Sequence, residues 1–364
     1  MKEITFWNIK DILILHLLKS INTSKFREIV ESFSCFKEFT ESELYFRYYQ
    51  DKIFENFNNI LSEADRQIDE AQSNNSRIIS YWDKDYPDML RKITYPPNII
   101  FVKGTIDPNK YAIGIVGTRK ATSYGKLSAE RFAEFFSVNN ISVVSGLAYG
   151  IDTYAHLAAV KSGGTTFGVI ASGIDCLSPA TSVKNSEKMI ECGGAIISEY
   201  SFGTQANLGS FPQRNRIIAG ISQAVVVIEC GIKSGALITA RIANSESREV
   251  FAVPGNISSR TSEGTNKLIK DNLAIIALSP ESVLEDLGFN KLISERKLDD
   301  HGIKFADKKE ELIYNLLNHE PIHIDKIAED AQSEIAEISS KLLMLEFNGL
   351  VKQLPGKYYL RTHL

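Results

Sequence analysis

Gly117, Thr118 and Arg119, followed by Lys120 and Tyr124, are the residues whose types and spacing say most about chemistry. They end the apolar, β-branched run Ile113-Gly114-Ile115-Val116 and stand just ahead of a helix pattern. A strand that exits through a small turn into a helix presents backbone N–H groups. An arginine at that turn adds a fixed positive charge, and the combination binds phosphate. The same tripeptide also suits a plain tight connection with a solvated arginine. A dinucleotide is disfavoured, because that fingerprint wants G-x-G-x-x-G and an acid at the end of the next strand. Here the glycines are spaced Gly114-x-x-Gly117, and the next strand ends in Ser145-Gly146.

Other strand exits repeat the theme. Ser145-Gly146-Leu147-Ala148-Tyr149-Gly150 leads into a helix carrying Asp152 and His156 at i,i+4 on one face. Such a couple can act as a general base, but no Ser, Cys or metal partner stands at a telling spacing. An aspartate bonding N–H groups at its own helix start is the better reading. Phe211-Pro212-Gln213-Arg214-Asn215-Arg216 places two cations in a first helical turn, against the helix dipole. That points to an anion there, or to bridges with acids such as Glu199. Ser234-Gly235 opens another helix running to Arg241, and Val253-Pro254-Gly255 leaves a further strand. Their recurrence at one sheet edge indicates an extended anion-binding surface.

The elements that must position these residues follow from hydrophobic periodicity. Between residues 111 and 288 short apolar runs alternate with helix-period segments, which predicts an α/β fold with a parallel sheet covered on both faces. Ligands bind such sheets beyond the carboxyl ends of the strands. Residues 1–76 read as helices, and 77–108 as a proline-rich bridge with a strand at Ile99–Val102 that ends at Gly104. Residues 291–306 read as a charged linker. From 307 to 364, three helices and a small hairpin predict a winged helix. The expected domains are therefore 1–76, 77–290 and 307–364.

The chain has 364 residues and a formal net charge of −4, so no global basic field exists. Nucleic-acid binding would have to rest on local clusters of Arg and Lys. Cys35, Cys176, Cys192 and Cys230 are scattered, with no C-x-x-C pair, which argues against zinc and for reduced thiols. No secretory segment and no run of eighteen apolar residues is present, so the expected location is cytoplasmic, with no membrane contact.

Taken together, Val116-Gly117-Thr118-Arg119 with Tyr124-Gly125, Ser145-Gly146 through Asp152, Phe211-Pro212 through Gly220, Ser234-Gly235 through Arg241, and Val253-Pro254-Gly255 resemble the bacterial DNA-processing protein A (DprA or Smf) family. The resemblance implies an extended Rossmann-like domain between a helical, SAM-like N-terminal domain and a C-terminal winged helix. It implies binding of single-stranded DNA through its backbone, a homodimer formed by the Rossmann-like domain, and loading of RecA during natural transformation. Single-strand-binding protein is a further implied partner, and neither catalysis nor a cofactor is implied. Carried onto this chain, Gly117, Thr118 and Arg119 would hold phosphate, with Lys120 beside them. Ser145 and Gly146 would line the same pocket, and Arg214, Asn215 and Arg216 would form an opposing basic wall. Ser234 and Gly235 would extend that surface. Some relatives have a lysine just before the phenylalanine matching Phe211. Here Asn207-Leu208-Gly209-Ser210 has none, which shifts weight to Lys184 and Arg119. Sequence-tolerant binding needs such a positive groove with aromatics for stacking, and Tyr124 and Phe211 are available.

Two other classes are open to test. Phosphoribohydrolases of the lysine-decarboxylase-like (LOG) group carry P-G-G-x-G-T followed by an acid. Here Ser234-Gly235-Ala236-Leu237-Ile238-Thr239 has apolar residues where the acid belongs, leaving Glu229 as a conceivable acid. A transcription regulator would read DNA with the helix near Ser333–Phe347. That helix carries Glu334, Glu337 and Glu346 against Lys341, which suits protein interaction better than phosphates.

Overall fold

The computed structural model describes residues 7–18, 21–48, 57–177, 181–289, 305–318 and 321–361. The chain divides into two compact units, residues 1–120 with 129–289, and residues 121–128 with 290–364. In the first, helices α1 (Ile9–Leu17), α2 (Thr23–Ser32), α3 (Phe36–Thr40), α4 (Glu43–Tyr48) and α5 (Phe57–Ser73) come before the sheet. Then follow β1 (Ser76–Ser80), α6 (Asp88–Arg91), β2 (Ile99–Gly104), β3 (Ala112–Val116), α7 (Ser123–Val138), β4 (Ser142–Gly146), α8 (Ile151–Lys161) and β5 (Thr166–Val169). Helix α7 begins in the segment grouped with the second unit. The series continues with α9 (Thr181–Glu191), β6 (Ala195–Ser198), α10 (Ser210–Ile221), β7 (Ala224–Val227), α11 (Gly235–Ser245) and β8 (Glu249–Ala252). It ends with α12 (Glu263–Lys270), β9 (Ile275–Ile276) and α13 (Pro280–Asp286).

Nine strands form one sheet in the order β1-β2-β6-β5-β4-β3-β7-β8-β9. From β6 to β9 every neighbouring pair is parallel. Strands β3, β4 and β7 are buried along their whole length, as non-alternating apolar strands between two helical layers must be. One edge departs from the expected parallel sheet. Strand β2 runs antiparallel to β6, and β1 antiparallel to β2. Between β1 and β2 lie only the single turn α6 and Tyr95-Pro96-Pro97, not the crossover helix that parallel neighbours require.

Alternation along β2 shows the layering. Ile100 and Val102 join one hydrophobic cluster, with Ile217 and Ile218 of α10 and Ala240 of α11. Ile99 and Phe101 join another, with Leu13, Phe26 and Phe39 of the N-terminal helices. Those helices share the core of the sheet. The buried amide of Gln67 fastens α5 further: its Oε1 accepts from Phe202 N–H at 2.8 Å and its Nε2 donates to Phe202 O at 3.2 Å.

The second unit contains α14 (Lys308–Leu316), β10 (Ile322–His323), α15 (Ile324–Asp330), α16 (Ile335–Phe347), β11 (Val351–Leu354) and β12 (Tyr358–Arg361). Its three-stranded sheet has the order β10-β12-β11, over a core of Ile313, Ile327, Ile338, Leu342, Leu345 and Tyr359. This is the expected winged helix. The expected linker, up to residue 304, lies outside the described residues. Among the described residues no helix is long and apolar enough to cross a membrane.

Candidate functional site

Successive parallel strands step away from β3 on one side, as β4, β5 and β6, before α10 carries the chain back to β7 on the other side. Strand order reverses between β3 and β7, where an open α/β sheet places its ligand crevice. Here the two exits bond to each other instead. Thr118 N–H donates to Glu229 O at 2.7 Å, and Thr118 O accepts from Ile151 N–H at 3.2 Å. Lys120 N–H donates to Thr118 Oγ1 at 3.2 Å. The expectation of free backbone donors at this turn is therefore corrected for Thr118 and Lys120: the fold uses both N–H groups. Gly117 has a packing reason as well. A Cβ there would stand 2.4 Å from Ile151 Cγ1 and 3.0 Å from Glu229 O. Gly150, at φ +81°, lets the backbone pass Thr118 where a Cβ would meet Thr118 O at 2.3 Å.

What remains for a ligand is side chains. Arg119 and Lys120 are exposed and make no ion pair among the described residues. The Arg119 guanidinium lies 5.4 Å from the Phe211 ring centroid, a cation–π contact between the β3 exit and α10. Both line a cavity of about 190 Å³ at the carboxyl edge, with Leu147, Ala148 and Tyr149 from the β4 exit. Ile170, Ala171 and Ser172 from the β5 exit, Ala206 and Arg214 complete it. Tyr149, 55% exposed, was not singled out by the sequence. The signal was present: a lone aromatic between Ala148 and Gly150, inside an exit otherwise noted for small residues.

Beneath the cavity is a buried charged cluster built around Gly146. A Cβ on Gly146 would lie 2.6 Å from both Arg214 Nη2 and Asp152 Oδ2. Arg214 is buried; its Nη1 donates to Val169 O and its Nε to Asn215 Oδ1 at 3.2 Å. Burial lowers its pKa to about 10 despite the field of Asp152. Burial likewise raises Asp152 to about 6, with Arg214, Ser145, the Ala148 backbone and Arg119 pulling the other way. His156 does not join Asp152 as a base. Its Nε2 lies 2.8 Å from Gly146 O and its Nδ1 2.7 Å from Thr166 Oγ1. Burial holds it neutral, with a pKa near 4. The carbonyl fixes Nε2 as the protonated nitrogen, while the Thr166 hydroxyl beside Nδ1 also donates to Val143 O at 2.8 Å.

The expected basic wall divides in two. Residues two apart on a helix point in nearly opposite directions, so Arg214 and Arg216 cannot share a face. Arg216 Nη2 instead pairs with Glu199, at 2.6 Å from Oε1 and 2.5 Å from Oε2. The bridging alternative is the one the structure shows for Arg216, and Asn215 serves Arg214. Ser145 is buried and donates to Ile115 O at 2.5 Å. Ser234 caps α11, its Oγ accepting from Ala236 N–H at 3.3 Å. Gly235 is exposed, with nothing within 4 Å of where a Cβ would stand. Lys184 is exposed on α9, and Tyr124 lies in the segment grouped with the second unit; none of these lines the cavity. Glu229, the conceivable catalytic acid, is buried and its Oε1 accepts from the Thr261 hydroxyl at 3.1 Å.

Comparison with known proteins sets this geometry among relatives. Residues 77–288 match the family model of DNA recombination-mediator protein A, and residues 304–357 that of the DprA winged helix domain. The chain is 34% identical to Protein Smf of Escherichia coli (strain K12) over 295 residues, 78% of this chain and 77% of that protein. It resembles the X-ray structure of DNA processing protein A from Streptococcus pneumoniae, with a TM-score of 0.58 and 31% identity over 78% of this chain and 95% of the other. DNA processing protein A from Helicobacter pylori, solved to examine its single-stranded DNA binding mode, matches with a TM-score of 0.52. There the identity is 25%, over 59% of this chain and 96% of that one.

Proposed function

The chain belongs to the DNA recombination-mediator protein A family, and from that premise we propose that it binds single-stranded DNA at the carboxyl edge of the large sheet. As a recombination mediator in DNA processing, it would protect incoming single strands and load RecA on them during natural transformation. One observation carries the reading. An exposed arginine with no ion-pair partner among the described residues, Arg119, shares a cavity rim with the aromatic rings of Phe211 and Tyr149. A backbone-tracking cation beside stacking rings is what sequence-tolerant single-strand binding uses. The proposed DNA-contacting residues are Arg119, Lys120, Phe211 and Tyr149, with Arg214 as a buried positive charge behind them.

The protein is proposed to act in the cytoplasm as a homodimer and without catalysis. Strand β9 ends the sheet and exposes Ile275 and Ile276, with Leu278 beyond it, which supports pairing through this domain. Both nitrogens of His156 are engaged within the fold, which supports a binding role over a base. Single-strand-binding protein remains a proposed further partner.

Fluorescence anisotropy against salt tests the reading. Affinity for oligo-dT should fall with salt by about 0.7 log units per log unit of salt for each neutralised phosphate, and duplex should bind far more weakly. Arg119→Ala should weaken binding about tenfold with an unchanged melting curve. A flat salt response overturns the proposal. Free base released from nucleoside monophosphates, and abolished by Glu229→Gln, would replace it with hydrolysis.

A further inference from the structure

We infer that the outward face of α16 (Ile335–Phe347) is a docking surface for a protein partner presenting an amphipathic helix, apolar on one face and flanked by lysine or arginine. This goes beyond DNA binding and does not depend on it. A soluble helix normally buries one stripe and shows a polar face to water; a helix apolar all round is covered all round. Helix α16 is apolar on both sides. Ile338, Leu342 and Leu345 fill the core of its unit. On the opposite side, at about 100° per residue, Leu343, Met344 and Phe347 line a stripe together with Ala336 and Ser340. Phe347 is 89% exposed and Leu343 64%. The small residues in the N-terminal half of the stripe suit the close approach of another helix, and the large ones beyond them supply the apolar contact.

Charge selects the occupant. The only basic residue of the helix, Lys341, is ion-paired to Asp307. The stripe therefore offers phosphate no free cation, although it lies on the helix a winged fold would lay in a major groove. Acids flank it on both sides. Glu337 is shared with Lys309, Glu346 accepts from Gln353 N–H at 2.9 Å, and Glu334 precedes the first turn. Two copies packed through this face would bring those acidic rims together, which like charges disfavour, whereas a basic amphipathic helix matches both stripe and rim.

The test uses the full chain and two labelled helical peptides, one of leucine and lysine, the other with every lysine replaced by glutamate. The lysine peptide should bind saturably and at least about tenfold more tightly than the glutamate peptide. Leu343→Ser and Phe347→Ser should each weaken it about tenfold without lowering the melting temperature. Leu312→Ser, an exposed apolar position on α14, should leave it unchanged. No saturable binding, equal binding of both peptides, or variants that bind like the parent would overturn the inference. So would variants that reduce the oligomeric mass in sedimentation, which would make the face a self-interface, or that lose duplex DNA, which would make it a nucleic-acid face.

Discussion

The carboxyl edge of the large sheet and the outward face of α16 are both places where folds of their type meet ligands, and they are equipped in opposite ways. At the sheet edge, Arg119 and Lys120 are exposed and unpaired among the described residues, with aromatics beside Arg119 and the buried Arg214 behind. On α16 the single lysine is tied to Asp307, and the outward stripe is apolar with acids at its rim. A winged-helix fold alone does not establish a DNA reader. What separates the two regions is whether positive charge has been left without an internal partner.

The largest effect expected concerns the buried half of the sheet-edge charge. Arg214→Met leaves Asp152 buried without its cation and Val169 O without its donor. Losing one partner of a buried charge pair costs about 3–5 kcal/mol, so the urea midpoint should drop steeply. Arg119→Ala should stay within about 0.5 kcal/mol of the parent, as exposed substitutions do. If Arg214→Met is equally stable, the buried charge is not structural and the edge differs from α16 only in its surface.

Next in size is a pH effect from the same cluster. Burial raises Asp152 to about 6 from 3.8, so between those values the folded protein keeps a proton that the unfolded chain has released. Its contribution to stability therefore falls as pH rises. His156 and His16, both held near 4 by burial against 6.5, act in the opposite sense. The unfolded chain takes up protons they refuse, so their contribution rises with pH through this window. Asp152→Asn removes the opposing group, and the rise in stability over this range should grow by on the order of 3 kcal/mol. Unfolding free energies measured across the window check this. A parent and variant with parallel profiles would mean that Asp152 is ionised throughout.

Much of this was legible in the residues. Buried, non-alternating runs such as Ala224–Val227 announced parallel strands, and the apolar spacing of Ile335–Phe347 announced the last helix of the winged fold. The glycine exits were located but misread in part. Gly117, Gly146 and Gly255 leave no room for a Cβ because side chains fill that space: Ile151, the Arg214–Asp152 cluster and Ser262. A glycine admitting a phosphate and a glycine admitting a neighbouring helix look alike in one sequence. For Arg216 the residues left two readings open, an anion or a bridge to Glu199. Glu199 is distant along the chain, and the β6–α10 geometry that makes them neighbours decides for the bridge. The antiparallel β1–β2 edge follows from the missing crossover helix between the two strands, which the apolar periods alone do not show.

Tyr149 sharpens the comparison on the DNA side. Stacking one base on an aromatic ring is worth about 1–3 kcal/mol, so Tyr149→Ala should weaken oligo-dT binding by that amount with little change in salt slope. Tyr358 is also exposed, on β12 of the second unit. Its removal should leave anisotropy titrations unchanged if only the sheet edge carries DNA. Equal losses from both would distribute the binding surface over both regions.

The smallest effect is expected on α16 itself. Lys341→Ala deletes the one cation of that helix. Because the charge already serves Asp307, which also accepts from Lys309 N–H at 3.0 Å and Glu310 N–H at 2.9 Å to cap α14, the loss should lower the melting temperature only slightly. Single-stranded DNA affinity should not change, and the salt slope should stay as in the parent, whereas Arg119→Ala should reduce it by about 0.7. A slope reduced by Lys341→Ala would mean that the lysine leaves Asp307 for phosphate when DNA binds. Its ion pair would then be a resting state, and the contrast between the two regions would hold only in the free protein.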